Sequence, residues 1–151
     1  MEQIKIKNVF IYGVGLIGGS IGISIKDKRL PYRVFGYSRS FKSRKKAVKY
    51  KAVDNIFDNS IEPSQIADII VLCVPPRAVC QILENIFSHL KNNVIVTDVS
   101  SVKGDLYKDI QKIVLKNNKK YKKNVVYIGS HPMAGSEKKG VEHASGSILD
   151  K

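Results

Sequence analysis

A doubly wound α/β fold, with a parallel sheet covered by helices on both faces, is predicted by three features of this 151-residue sequence. Short, continuously apolar runs alternate with longer segments of helical periodicity. A glycine-rich turn joins the first run to the first helical segment. The 43% apolar content and the length suit one ordinary domain with a real core, well away from disordered compositions.

The strands follow in order. Val9-Phe10-Ile11-Tyr12 is the first run, and a helix is predicted at about 16–27. Arg33-Val34-Phe35-Gly36-Tyr37 is the second, followed by a helix at 40–51. The weaker Asn55-Ile56-Phe57 reads as a short third strand, and Ile69-Ile70-Val71-Leu72-Cys73-Val74 as a fourth. In the helix predicted at 77–90, Val79, Ile82, Leu83, Ile86 and Leu90 recur at three- and four-residue spacing and give one apolar stripe. Val94-Ile95-Val96-Thr97, a helix at 103–118 and Val125-Val126-Tyr127-Ile128 complete the series. Continuous rather than alternating apolarity marks strands buried on both faces. Right-handed crossovers then predict the strand order 3-2-1-4-5-6, with the glycine turn at the central switch point. The last residues, Ser147-Ile148-Leu149-Asp150-Lys151, show no readable cap or terminal element, and the chain reads as cut there.

Composition narrows the function classes. Two cysteines, Cys73 and Cys80, do not make a disulfide scaffold, and no run pairs Cys with His at metal-ligand spacing. No apolar stretch reaches 18 residues, and Met1 to Lys5 carries no signal-peptide pattern, so a cytoplasmic protein without membrane association is expected. The net charge of +13 comes largely from lysines at 42–51, 116–123 and 138–139. No nucleic-acid-binding motif or aromatic platform accompanies it. The charge reads as a solvated surface, or as one that attracts anionic ligands.

Gly13-Val14-Gly15-Leu16-Ile17-Gly18 sits between a strand and a helix, the context that the dinucleotide fingerprint needs. Gly13 permits the tight turn, Gly15 lets the backbone approach a pyrophosphate, and Gly18 allows close helix–sheet packing. Leu16 and Ile17 open the helix, whose free N–H groups favour phosphate. The fold is therefore expected to be a Rossmann-type dinucleotide-binding domain covering 1–151. After the second strand an NAD site would place a carboxylate on the ribose; here Ser38, Arg39 and Ser40 stand instead. Hydroxyls and a guanidinium suit a 2′-phosphate, which favours NADP, with NAD as the alternative. Ser40 can equally cap the next helix while Arg39 is solvated. Val74, Pro75 and Pro76 stop the fourth strand, fix the next helix start and can wall the nicotinamide ribose. Beyond the fifth strand, Ser101 and Lys103 can meet nicotinamide or substrate, or Ser101 can cap a helix. His131 is the one histidine that follows a buried strand on the binding edge, where it can accept a proton from an alcohol undergoing oxidation; a purely structural role is the other reading. His89 falls within the helix predicted at 77–90, and His143 in a later polar segment.

The glycine loop, the stretch Val96-Thr97-Asp98-Val99-Ser100-Ser101-Val102-Lys103, and His131-Pro132-Met133-Ala134-Gly135-Ser136-Glu137-Lys138 together resemble the prephenate/arogenate dehydrogenases of tyrosine biosynthesis. The resemblance covers essentially the whole chain, and the histidine segment is its most specific part. It implies oxidative decarboxylation of prephenate or arogenate with NAD(P). His131 would then hydrogen-bond the ring hydroxyl, Ser101 would assist and touch the cofactor, and Glu137 would shape and gate the pocket. It also implies a helical C-terminal domain that forms a homodimer, completes the substrate pocket and supplies an arginine for the substrate carboxylate; the chain is expected to end before it. Many members have Gly-Ser where this chain has Ser100-Ser101. Two other readings stay open: a stand-alone dinucleotide-binding module without turnover, and another Rossmann-type hydroxyacid or imine oxidoreductase.

Overall fold

Successive residues of a strand face opposite sides of a sheet, so an apolar run without alternation needs cover on both. The computed structural model, which describes residues 6–102, 104–134 and 137–150, supplies that cover. Its strands are β1 (Asn8–Tyr12), β2 (Arg33–Tyr37), β3 (Asn55–Phe57), β4 (Ile69–Leu72), β5 (Ile95–Asp98) and β6 (Val126–Gly129). They form one parallel sheet in the order β3-β2-β1-β4-β5-β6, as the sequence predicts. The helices are α1 (Leu16–Asp27), α2 (Phe41–Lys49), α3 (Ile61–Ile66), α4 (Pro76–Phe87) and α5 (Gly104–Tyr121). Phe10, Ile70, Leu72 and Val96 pack with the α4 stripe and with Ile110 and Val114 of α5. Val9, Ile11 and Val71 face the other way, onto a cluster that includes Ala47 and Val141.

The register aligns one edge of the sheet. Tyr37, Tyr12, Leu72, Asp98 and Gly129 are paired in a row across five strands at their carboxyl ends. Every loop singled out in the sequence leaves from this row. Order on the sheet, not order in the chain, therefore decides which loops become neighbours.

Four local differences from the sequence reading have physical reasons. Helix α3 was not expected: six residues with Pro63 among them are too short to show a helical period, and Asn59 Oδ1 starts the helix by accepting from the N–H groups of Ile61 and Glu62. Helix α4 ends at Phe87, which leaves His89 beyond it. Strand β6 lies at the sheet edge, and its outward Val126 and Ile128 are 44% and 54% exposed rather than buried on both faces. The segment beyond β6, whose last residues show no terminal element in the sequence, is also structured. Two 3-10 turns, Val141–His143 and Gly146–Leu149, pack on α1, where a Cβ at Gly19 would come within 2.7 Å of Val141 and Ser20 Oγ accepts the Ser145 N–H. Lys103, Gly135, Ser136, residues 1–5 and Lys151, on which parts of the sequence reading fall, lie outside the described residues. Among the described residues no helix is long and apolar enough to cross a membrane.

Asp68 closes the amino-terminal edge of the sheet. It is 6% exposed, its carboxylate accepts from the N–H groups of Lys7 and Asn8 at 2.9 Å, and it pairs with Lys91. Burial favours the protonated acid, but Lys91 and the two amides outweigh it and hold the pKa below the ordinary 3.8. The charged form is thus the stabilising one; its contribution is complete above the ordinary value and is lost as pH falls through the lowered one. Asp68→Asn is expected to reduce the urea-unfolding free energy at neutral pH by about 1.5–3 kcal/mol, the worth of hydrogen bonds to a charged group. It should also flatten the fall of stability below about pH 4. An unchanged acid limb in the variant would contradict this assignment.

Candidate functional site

The turn between β1 and α1 is held from two directions. Gly13 adopts φ +98°, and a Cβ there would stand 2.3 Å from the Cys73 carbonyl oxygen, so both conformation and space demand glycine. Its N–H donates to the Tyr37 carbonyl at 2.8 Å. A Cβ at Gly18 would lie 2.2 Å from the Gly13 carbonyl and 2.8 Å from Ile11, which fixes α1 tightly on β1. Gly15 differs: φ is −98° and a Cβ would meet nothing within 4 Å. The fold itself does not require glycine there.

Helix α1 begins without a side-chain cap and has no acidic residue in its first turn. Its first intrahelical bond runs from the Gly19 N–H to the Gly15 carbonyl, so the N–H groups of Leu16 and Ile17 have no acceptor within the helix. An uncapped positive helix end facing a cleft suits an anion.

At the end of β2 the three predicted contacts take different places. Ser38 is 8% exposed and turned inward, its Oγ accepting the Val14 N–H at 3.0 Å, and so it steadies the glycine turn from a neighbouring strand. Ser40 is the N-cap of α2 and accepts the Ser43 N–H. Arg39 is exposed. Arg44, one turn into α2, donates to the carbonyls of Ser38 and Arg39 and brings a second guanidinium beside them. Both serine hydroxyls can still donate their own O–H.

On the other side of the switch point, Val74 and Pro75 line the cleft with the glycine turn, whereas Pro76 opens α4 at its first helical position. Cys73 also lines it. Burial first, then the charge of Asp98, pushes its thiol up to about 12, so it remains protonated and is an apolar wall rather than a nucleophile. Ser101 is exposed, and α5 begins only at Gly104, so Ser101 does not occupy the cap position that was one of its two readings.

The loops carrying Ser101 and His131 share one anchor. Asp98 is fully buried and accepts the Tyr127 O–H at 2.6 Å and the Ser100 N–H at 2.8 Å. Ser130 donates to the Asp98 carbonyl at 2.6 Å and receives a bond from Thr97 Oγ1. Burial, together with the carboxylate, raises the Tyr127 phenol far above its ordinary value, which keeps it a donor. His131 follows directly, exposed, at the end of β6. That strand is three places from β1, or roughly 14 Å at ordinary strand spacing. Glu137 is exposed on the same loop.

The cleft above the glycine turn measures about 250 Å³. Lys138, Lys139 and Gly140 form its far wall, which the sequence reading had placed among the solvated lysine clusters. Only their proximity to the His131 segment hinted otherwise. Among the described residues no group of three or more His, Cys, Asp or Glu side chains could hold a metal ion.

Over 95% of its length the chain is 32% identical to the prephenate dehydrogenase of Lactococcus lactis, of which it spans 39%. It is similar to the crystal structure of Aquifex aeolicus prephenate dehydrogenase in complex with hydroxyphenyl propionate and NAD+ (TM-score 0.83, 31% identity, 98% of this chain and 49% of that one). It is also similar to Synechocystis arogenate dehydrogenase (TM-score 0.77, 30% identity, 91% and 45%). The chain thus spans about two-fifths of this curated relative and about half of each solved one. A family model for the nucleotide-binding domain of prephenate dehydrogenase matches residues 21–151, most of the sequence, and the chain belongs to that family.

Proposed function

We propose that the chain is the cofactor-binding part of a cytoplasmic dehydrogenase of tyrosine biosynthesis, which oxidatively decarboxylates prephenate to 4-hydroxyphenylpyruvate, or arogenate to tyrosine. The observation that carries this reading is Gly15. The fold enforces glycine on either side of it, at Gly13 and Gly18, but leaves open space at Gly15 itself, beside helix amides that have no acceptor within the helix. A ligand whose phosphates approach the backbone supplies the missing reason. The names of the similar proteins support the substrate class.

When bound, the nicotinamide would accept hydride from the ring carbon that bears the hydroxyl. The protein's task is then orientation and proton handling. The amides of Leu16 and Ile17 would hold the diphosphate, and Val74 and Pro75 would wall the neighbouring ribose. Neutral His131 would accept the ring-hydroxyl proton, and Ser101 would orient the same oxygen. Glu137 would shape and gate the pocket. Loss of the ring carboxylate as carbon dioxide aromatises the product and drives the reaction. A second, helical domain like that of full-length members would complete the substrate pocket and make the homodimer.

For the cofactor we favour NADP over NAD. No carboxylate follows β2 in the segment Ser38-Arg39-Ser40, and the Arg44 guanidinium bonds to the Ser38 and Arg39 carbonyls there. Titration calorimetry should find NADP bound more tightly than NAD, and Arg39→Ala should erase most of the difference. One charged hydrogen-bonding partner is worth about 1.5–3 kcal/mol, or about ten- to a hundred-fold. Equal affinities in the unmodified protein would overturn the preference.

The catalytic assignment separates binding from chemistry. In a chain that also carries the substrate-completing domain, His131→Asn should leave cofactor affinity within a few-fold while lowering turnover by about 10²–10⁴, the usual worth of a positioned acid–base group. Near-normal turnover would make His131 structural. Cofactor binding with no turnover on either substrate in the unmodified longer chain would instead favour a binding module.

A further inference from the structure

The ladder between β5 and β6 runs from the pair Ile95 and Val126 to the pair Asp98 and Gly129. Past it, two bonds outside the ladder converge on Asp98. The Ser100 N–H donates to Asp98 Oδ2 at 2.8 Å, and the Ser130 hydroxyl donates to the Asp98 carbonyl at 2.6 Å. Each fixes the residue immediately before Ser101 or His131. Thr97 Oγ1 steadies Ser130 from β5 at 3.2 Å. The carboxylate is itself held from β6, because its Oδ1 accepts the Tyr127 O–H at 2.6 Å. Asp98 is 0% and Tyr127 5% exposed, so both lie beneath any surface that a substrate could reach. A buried carboxylate is costly to desolvate and a poor choice for stability alone. What it supplies is fixed direction for the donors around it.

We propose that Asp98 and Tyr127 are positioning residues for the oxidation: the Tyr127 phenol orients the Asp98 carboxylate, and Asp98 sets Ser101 and His131 in register with each other. The proposal rests on the dehydrogenase reading above. Two loops that leave different strands drift independently unless something common holds them, and proton transfer is sensitive to misplacement of about 1 Å. Binding of the dinucleotide's phosphates does not share this dependence. The glycine turn follows β1, two places from β5 in the sheet, and is fixed by Tyr37 and Ser38 instead.

Replacing Asp98 itself would strand buried donors and test the fold. The test is therefore Tyr127→Phe, which keeps the ring and removes one O–H. Tyr107→Phe is the control: that phenol lies on α5, 44% exposed, with its ring 5.7 Å from that of Tyr127. In this chain, amide hydrogen exchange followed by NMR should quicken about tenfold in Tyr127→Phe, at 99–101 and at 129–131 together, the order expected for one lost bond to a carboxylate. Tyr107→Phe should leave both segments unchanged. In a chain that also carries the substrate-completing domain, Tyr127→Phe should lower kcat about ten- to a hundred-fold, with dinucleotide affinity within a few-fold. In a His131→Asn background the same change should cost no more than about threefold, since most of what it positions is gone. An equal loss of kcat with and without His131 would make Tyr127 a structural residue and overturn the proposal. Faster exchange at 129–131 alone would show that the anchor is not shared and would overturn it too, while the dehydrogenase reading stands. If the unmodified longer chain turns over neither prephenate nor arogenate, both fall together.

Discussion

Between β1 and α1 the chain reverses within three residues, while the Cys73 carbonyl stands 2.3 Å from where a side chain at Gly13 would begin. That squeeze ties together the ends of three strands. Gly13 must take a left-handed conformation, its N–H reaches β2 at Tyr37, and its back rests on the residue that follows β4. The consequence is directional. Helix α1 starts at the switch point of the sheet with its amides facing outward, and Gly18 keeps it close enough to β1 for those amides to stay there. Any larger residue at position 13 would move the helix end away from the row Tyr37, Tyr12, Leu72, Asp98 and Gly129, from which the other loops depart.

Two halves of the edge are then built by different means. On the β1–β2 side, backbone amides and Ser38 set the geometry, and the charges are cationic, from Arg39, Arg44 and the helix end. On the β5–β6 side, a buried carboxylate does the fixing: Asp98 gathers Tyr127, Ser100 and the Ser130 loop into one network in a low-dielectric setting. The first arrangement leaves donors open toward a ligand. In the second, the Ser100 amide and the Tyr127 and Ser130 hydroxyls donate internally, while Ser101 and His131, one residue beyond each anchor, face solvent. On the function proposed above, the first half would hold phosphate and the second would present Ser101 and His131 to the substrate, the division that hydride chemistry on a small alcohol asks of such an edge.

The sheet was legible in the sequence because its physics is local to each run. Ile69 to Leu72 or Arg33 to Tyr37 can be read as buried without knowing their neighbours, and the glycine turn declares itself by lying between such a run and a helix. What could not be read depends on contacts across the chain. Ser38 carries no mark that its oxygen accepts a bond from Val14, 24 residues earlier, so the sequence offers it only as a ligand contact. The 3-10 turns after β6 have no period to detect, and they exist because Val141 finds the bare face of α1 at Gly19. Lys138 and Lys139 read as surface charge because their position over the glycine turn follows from that same packing. Ser40 shows the opposite case: its capping role is set three residues away, and sequence alone already offered it.

The central claim is that the space above Gly15 belongs to a dinucleotide's phosphates, and Gly15→Ala tests it most directly. Its negative φ accepts a side chain and nothing in the protein lies within 4 Å of the new methyl group, so the unfolding free energy should stay within about 0.5 kcal/mol of the unmodified chain. Dinucleotide affinity, measured by calorimetry on the same samples, should fall by about five- to two-hundred-fold, the equivalent of about 1–3 kcal/mol for an overpacked contact. A variant that keeps both its stability and its dinucleotide affinity would contradict the account.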